Sequence, residues 1–208
     1  MATRTLYLIR HGDYHLDEIK KLDRNLTLEQ HYKLHTMEGG LTPTGEKQAK
    51  LTAKRLRSLP IDAIHCSSLR RASETANVIA KRFPAIEVQK SRLLWECVPS
   101  IPKAFAQHED FRYISERDVD QWKRRADDAF EGYFKSARGT DKHDIVVSHA
   151  NLIRYLICLV LQIQPDAWIN MTIDNCGISE VRIESNDRMK LVSYNDVGHL
   201  PHELRTYI

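Results

Sequence analysis

The sequence has no apolar stretch of bilayer length. The longest, Leu156 to Ile163, follows Arg154 and falls far short of the roughly 20 residues a spanning helix needs. No membrane partner is expected. Cysteine is sparse: Cys66, Cys97, Cys158 and Cys176 are widely scattered with no Cys-x-x-Cys pair, which argues against a disulfide scaffold and against structural zinc. Cys66 and Cys158 fall in apolar segments and read as small buried hydrophobes. The start, Met-Ala-Thr-Arg, enters a strand-like segment by Thr5, with no room for the apolar core of a signal peptide or for a long transit peptide. A reducing, cytoplasmic location is the expectation. Excess charge of one sign is also missing: 31 basic residues face 28 acidic ones, and the short run Lys123-Arg124-Arg125 is followed at once by Asp127 and Asp128. A nucleic-acid surface would show a stronger basic footprint, so no nucleic acid is expected as a partner. No internal repeat or low-complexity tract points to a solenoid.

What is present is an ordinary globular composition. Hydrophobic residues make up 42% and charged residues 28% of 208 positions, enough apolar material for one large domain spanning residues 1–208. Thr5 to Arg10 reads as a strand. In Leu41-Thr-Pro-Thr-Gly45, Thr42 can cap a helix and Pro43 suits its first position; Ala49, Ala53, Leu56 and Leu59 then keep helical spacing through Ser58. Asp62 to Cys66 is a strand, 70–82 a helix, and Ile86 to Val88 a short strand. Ser115-x-x-Asp118 resembles a capping box ahead of an amphipathic helix with Val119, Trp122, Ala126, Ala129, Phe130 and Tyr133 on one face. Asp144 to Val147 is a buried strand, Leu152 to Leu161 a buried helix, and Ile178 to Ile183 and Lys190 to Tyr194 are two late strands joined by the Asn186-Asp187-Arg188 turn. This alternation predicts an α/β fold: one doubly wound, mostly parallel sheet with helices on both faces. Asp17 to Gly40, with His31 and His35, breaks the alternation and reads as a loop insertion over one end of the sheet.

The residues with chemistry stand at the C-terminal ends of the predicted strands. Arg10-His11-Gly12 closes the first, Ser67 to Ala72 with Arg70 and Arg71 follows the second, Leu94-Trp95-Glu96 follows the third, and Ser148-His149-Ala150-Asn151 closes the fourth. In an open parallel sheet these ends face one crevice. Each residue alone has an ordinary explanation: His11 and His149 as structural histidines, Glu96 as a solvated carboxylate, one of Arg70 and Arg71 as a solvent-facing charge. Together they describe a pocket for a phosphoryl group, whose oxygens match planar guanidinium groups and whose phosphorus a histidine can attack.

Leu8-Ile9-Arg10-His11-Gly12, Leu41-Thr-Pro-Thr-Gly45 with Gln48-Ala49, Ser67-Ser-Leu-Arg-Arg71-Ala-Ser-Glu-Thr75-Ala, Leu94-Trp-Glu96 and Ser148-His149-Ala-Asn-Leu-Ile-Arg154 follow one another in this order. In this the chain resembles the histidine phosphatase superfamily, the phosphoglycerate-mutase-like enzymes, from near residue 5 to past residue 154. It is most similar to the mitochondrial Ser/Thr protein phosphatase branch, through Tyr14-His15, Asp23-Arg24, Tyr155, Trp168, Asn175, Gly198 and Pro201. The resemblance implies a phosphomonoesterase with no metal and no cofactor. It makes His11 the nucleophile that becomes a phosphohistidine. Arg10, Arg71 and His149 hold the phosphoryl oxygens, Glu96 protonates the leaving oxygen, and Asn151 and Tyr14 are further substrate contacts. Phosphorylated proteins are the implied partners, with small phosphorylated metabolites as the alternative; a homodimer is compatible. The mitochondrial branch carries a membrane anchor and an assembly motif ahead of this domain, so tethering and regulated multimers are not expected of a chain that begins where this one does.

Three other readings compete. Cofactor-dependent mutases of the family carry an insertion between the second-strand motif and the acid, whereas only about 25 residues separate Arg71 from Glu96 here, which favours hydrolysis. A phosphate-binding module without turnover would not need every catalytic residue type. A metalloenzyme using His11, His15, His31 and His35 lacks the glutamate and the helical setting of a zinc-protease motif.

Overall fold

The computed structural model describes residues 2–15, 39–108, 111 and 114–207. The segment at 17–38, expected as a loop insertion and carrying His31 and His35, lies outside the described residues. Strand β1 (Arg4–Arg10) is buried along nearly its whole length, because both faces of its sheet are covered. Its side chains alternate between two cores. Leu6 and Leu8 join Val146 and Val181 under helices α3 (Glu116–Tyr133) and α4 (Ala150–Leu161), which supply Ala126, Ala129, Leu152 and Leu156. Tyr7 and Ile9 join Ile145 and Val147 under α1 (Pro43–Leu56) and α2 (Arg70–Ala80), which supply Ala53, Leu56, Ala72, Ala76 and Ile79.

The remaining strands are β2 (Ala63–Ser67), β3 (Val88–Ser91), β4 (Lys142–Ser148), β5 (Ile178–Ile183) and β6 (Met189–Asp196). Among the described residues they form one six-stranded sheet in the order β3-β2-β4-β1-β5-β6. β3, β2, β4 and β1 run parallel; β5 pairs antiparallel with β1, and β6 pairs antiparallel with β5. The doubly wound, mostly parallel expectation therefore holds. The third strand differs from its predicted place. Ile86 closes a turn onto Phe83 (2.9 Å) and packs into the core, so pairing with β2 begins only at Val88 and continues to Ser91. Lys90 in that edge strand has no apolar signature to mark it.

Helix entries follow their local chemistry. Thr42 accepts from the Gly45 amide at 3.0 Å with Pro43 in the first turn, and Ser115 accepts from the Asp118 amide at 3.2 Å. The β1, β2 and β4 strands all end on one side of the sheet, where the β4–β1 pair meets Arg10 with Ser148. Among the described residues, no helix is long and apolar enough to cross a membrane.

Candidate active site

His11 leaves β1 into a backbone loop held from several directions. Its N–H donates to the Ser148 carbonyl (3.0 Å), and its carbonyl accepts from Asn175 Nδ2 (3.0 Å) and the Cys176 amide (3.3 Å). Gly12 N–H donates to Thr75 Oγ1 (3.0 Å) and Asp13 N–H to Gln48 Oε1 (2.8 Å). The imidazole is fixed as tightly. Nδ1 lies 2.8 Å from the Gly12 carbonyl, and a carbonyl can only accept, so Nδ1 carries the proton. Nε2 is then the lone-pair nitrogen, facing Arg71 Nε at 3.1 Å. His11 is 2% exposed. Burial, then the charges of Arg71 and Arg10, push its pKa well below the ordinary 6.5. The ring is a neutral base with its open nitrogen in a cationic setting.

Three other expected residues gather around it. Arg71, 4% exposed at the start of α2, lies with its guanidinium carbon 4.7 Å from the Tyr14 ring centroid. Its neighbour Arg70 turns to the surface and pairs with Glu74 at 2.8 Å, as the one-in, one-out geometry of a helix start requires. Arg10 is buried and donates to the Ile173 carbonyl at 2.7 Å. Burial lowers the pKa of both arginines, opposed chiefly by Glu96 and Tyr14. His149, fully buried at the head of α4, stands 5.0 Å from His11 between ring centroids. Its Nε2 contacts Ser67 Oγ at 2.8 Å, and burial followed by Arg71 and His11 depresses its pKa well below 6.5. Among the described residues, Arg71 Nη1 and His149 Nδ1 are buried without a hydrogen-bond partner. Unpaired buried polar nitrogens are costly unless a ligand takes them, and Arg71 Nη1, with His149 Nδ1 in the tautomer that protonates it, makes a fitting cradle for an oxyanion.

Glu96 reaches the same place from the loop after β3. Its carboxylate accepts from the amides of Cys97 (3.1 Å) and of Asn151 and Leu152 in the first turn of α4 (3.4 and 3.3 Å). The helix otherwise starts without a side-chain cap, so Glu96 supplies what a capping residue would. Asn151 sits in that turn with Oδ1 bonded to Arg154 Nη2. Tyr14 packs its ring edge-on against His11, with centroids 5.0 Å apart.

Supporting residues escaped the sequence reading because their roles are tertiary. Ser67, Thr75 and Gln48 lie inside recognised motifs, yet nothing local says that they hold His149, Gly12 and Asp13. The tail at 199–207 also reaches the site. Gln48 Nε2 donates to the Leu204 carbonyl (2.7 Å) and Thr206 Oγ1 (2.8 Å), and Thr206 Oγ1 donates to Asn175 Oδ1 (2.9 Å). Through Gln48 and Asn175 the tail braces the His11 loop. Among the described residues, no group of three or more His, Cys, Asp or Glu side chains is placed to hold a metal.

A family model, the histidine phosphatase superfamily (branch 1), matches residues 6–197. The mitochondrial serine/threonine-protein phosphatase Pgam5 of Caenorhabditis elegans is 34% identical over 205 residues, covering 96% of this chain and 65% of that protein. The chain thus spans slightly under two thirds of that relative's length. A phosphoglycerate mutase from Plasmodium falciparum matches over 100% of both chains at 27% identity and a TM-score of 0.62. A phosphoserine phosphatase from Entamoeba histolytica shares the fold with a TM-score of 0.70 at 21% identity, over 95% of this chain and 100% of that one. The cytoplasmic location expected from the sequence is overturned, since the sequence relatives at this level of identity are named mitochondrial.

Proposed function

Because the chain belongs to the histidine phosphatase superfamily (branch 1), we propose that it hydrolyses phosphoserine and phosphothreonine in proteins through a phosphohistidine on His11. The observation that carries this reading is the fixed tautomer of His11: its lone-pair Nε2 faces Arg71 Nε at 3.1 Å, the His149 ring stands 5.0 Å away between centroids, and each of these two neighbours holds a buried unpartnered nitrogen, Arg71 Nη1 and His149 Nδ1. The Nε2 lone pair attacks phosphorus as the bond to the serine or threonine oxygen breaks. Arg71 Nε exchanges its contact with Nε2 for a phosphoryl oxygen, joined there by Arg10 and His149. When the Ser67 hydroxyl donates to His149 Nε2, Nδ1 carries a proton and donates to the same group. Fixed cations neutralise the developing charge where a metal otherwise would.

Glu96 gives its proton to the departing oxygen. Of its two oxygens, Oε1 accepts from two amides and Oε2 from one, so Oε2 retains an acceptor position and is assigned the mobile proton. In the second half, water attacks phosphorus and passes a proton to Glu96. The N–P bond breaks, and phosphate leaves with neutral His11 restored. Asn151 and Tyr14 line the approach. The protein substrate and the mitochondrial setting are carried over from the names of the relatives, which support them, and the whole chain is read as one catalytic domain.

The test is phosphate release in excess chelator from a phosphothreonine peptide, a phosphohistidine protein and 3-phosphoglycerate, with His11→Ala as blank. The proposal expects the peptide to have the highest kcat/KM and the blank to be inactive. A small metabolite ahead by about tenfold, or about 1.4 kcal/mol in the barrier, would keep the chemistry and replace the substrate class. No turnover on any of them would favour a binding role.

A further inference from the structure

Arg125 belongs to a basic run, Lys123-Arg124-Arg125, that reads as surface charge in the sequence. The structure puts it to another use. From the middle of α3 its guanidinium reaches the loop after β3 and donates to three of that loop's carbonyls: Nη1 to the Arg92 carbonyl (3.1 Å) and the Trp95 carbonyl (3.0 Å), and Nη2 to the Glu96 carbonyl (2.9 Å). The same loop is pinned on its other side. Trp95 Nε1 donates to Ser68 Oγ at 2.6 Å, beside the Ser67 that holds His149. Arg92 and Arg125 lie over the Trp95 ring at 5.4 and 6.0 Å. Beneath it, Leu94 and Cys97 pack with Ala126 and Ala129 of α3 in one core cluster. The segment 92–97 has no regular structure beyond one short 3-10 turn, Arg92–Leu94. Its carbonyls must find donors elsewhere, and one planar five-donor fork supplies three of the bonds.

We infer that Arg125 is a positioning residue for Glu96: by bonding the carbonyls of residues 92, 95 and 96 it fixes the loop that aims this carboxyl at the leaving oxygen. The inference rests on the acid role proposed for Glu96. A loop serving only stability would leave the enzyme's preference among leaving groups unchanged when loosened. A loop that aims the acid would not, because an alkoxide needs the proton and an activated phenolate hardly does.

The experiment compares kcat/KM for a phosphothreonine peptide and for p-nitrophenyl phosphate in the wild type, Arg125→Met, Arg125→Lys, Glu96→Gln and the Arg125→Met/Glu96→Gln double variant. Arg125→Met is expected to lose about tenfold or more on the peptide and less than about threefold on the aryl phosphate, well within the usual worth of a general acid. Arg125→Lys, which keeps the charge but not the fork, shows the same selectivity at smaller size, and carries the test if the methionine variant does not fold. The double variant falls no further on the peptide than Glu96→Gln alone, since the aimed proton is already gone. Equal losses of the Arg125 variants on both substrates while Glu96→Gln stays selective would overturn the inference and spare the acid. An unselective Glu96→Gln would instead remove the acid role, and the inference with it.

Discussion

Two imidazoles, His11 and His149, are buried at 2% and 0% exposure and held neutral by their surroundings. Their folded pKa values lie well below the ordinary 6.5, first because of burial and then because of neighbouring cations. In the unfolded chain both take up protons as the pH falls through 6.5. Below that value the unfolded state binds more protons than the folded one, so the protein loses stability as the pH drops from 6.5 towards the folded values. The loss is at most about 1.4 kcal/mol per pH unit for each histidine. His65 and His199 are shifted in the same direction by partial burial and add to the slope. Thermal melts from pH 7 to pH 5 should show Tm falling, with a shallower fall in His149→Asn. Inorganic phosphate should flatten the slope, because a bound dianion favours the protonated imidazole. A Tm that stays level over this range in the absence of phosphate would contradict the neutral assignment.

At the scale of elements, the His11 loop and the start of α1 approach so closely that both sides use glycine. A Cβ on Gly45 would lie 2.0 Å from the Asp13 carbonyl oxygen, and one on Gly12 would lie 2.8 Å from the Gly45 carbonyl oxygen. Neither partner is a side chain able to swing away. Gly45→Ala must therefore push α1 and residues 11–13 apart, moving the nucleophile and straining the Asp13–Gln48 bond. Overpacking of this kind costs roughly 1–3 kcal/mol, so a lower Tm is expected together with a fall in kcat larger than the rise in KM. Unchanged kcat with a lowered Tm would separate this contact from the site. The same motif shows where local reading stops. Thr42 and Pro43 announce a helix start through their own chemistry, and the helix begins there. Gly45 carries no such signal, because what it avoids is a carbonyl 32 residues earlier in the chain.

For the molecule as a whole, the α/β class is legible because strand and helix periodicities alternate and β1 and β4 are apolar on both faces. The meeting of Arg10, His11, Arg71, Glu96 and His149 follows from their common place at strand ends. The sheet order is less legible. β5 and β6 show only that two strands pair, and that β5 lies antiparallel to β1 depends on contacts far apart in sequence. Least readable were the braces: Asn175, Thr206 and Arg125 act on residues 164, 31 and 29 positions away, on the carbonyl of His11, on Asn175 and on the carbonyl of Glu96. All of this geometry converges on one nitrogen, His11 Nε2. The most direct measurement is rapid quenching of the wild type with p-nitrophenyl phosphate, followed by intact-mass and peptide mass spectrometry. The account predicts one added phosphoryl group on His11, stable in alkali and lost in acid, and accumulating further in Glu96→Gln, where the water-activating carboxylate is gone. Turnover without any such adduct, or an adduct on another residue, would contradict it.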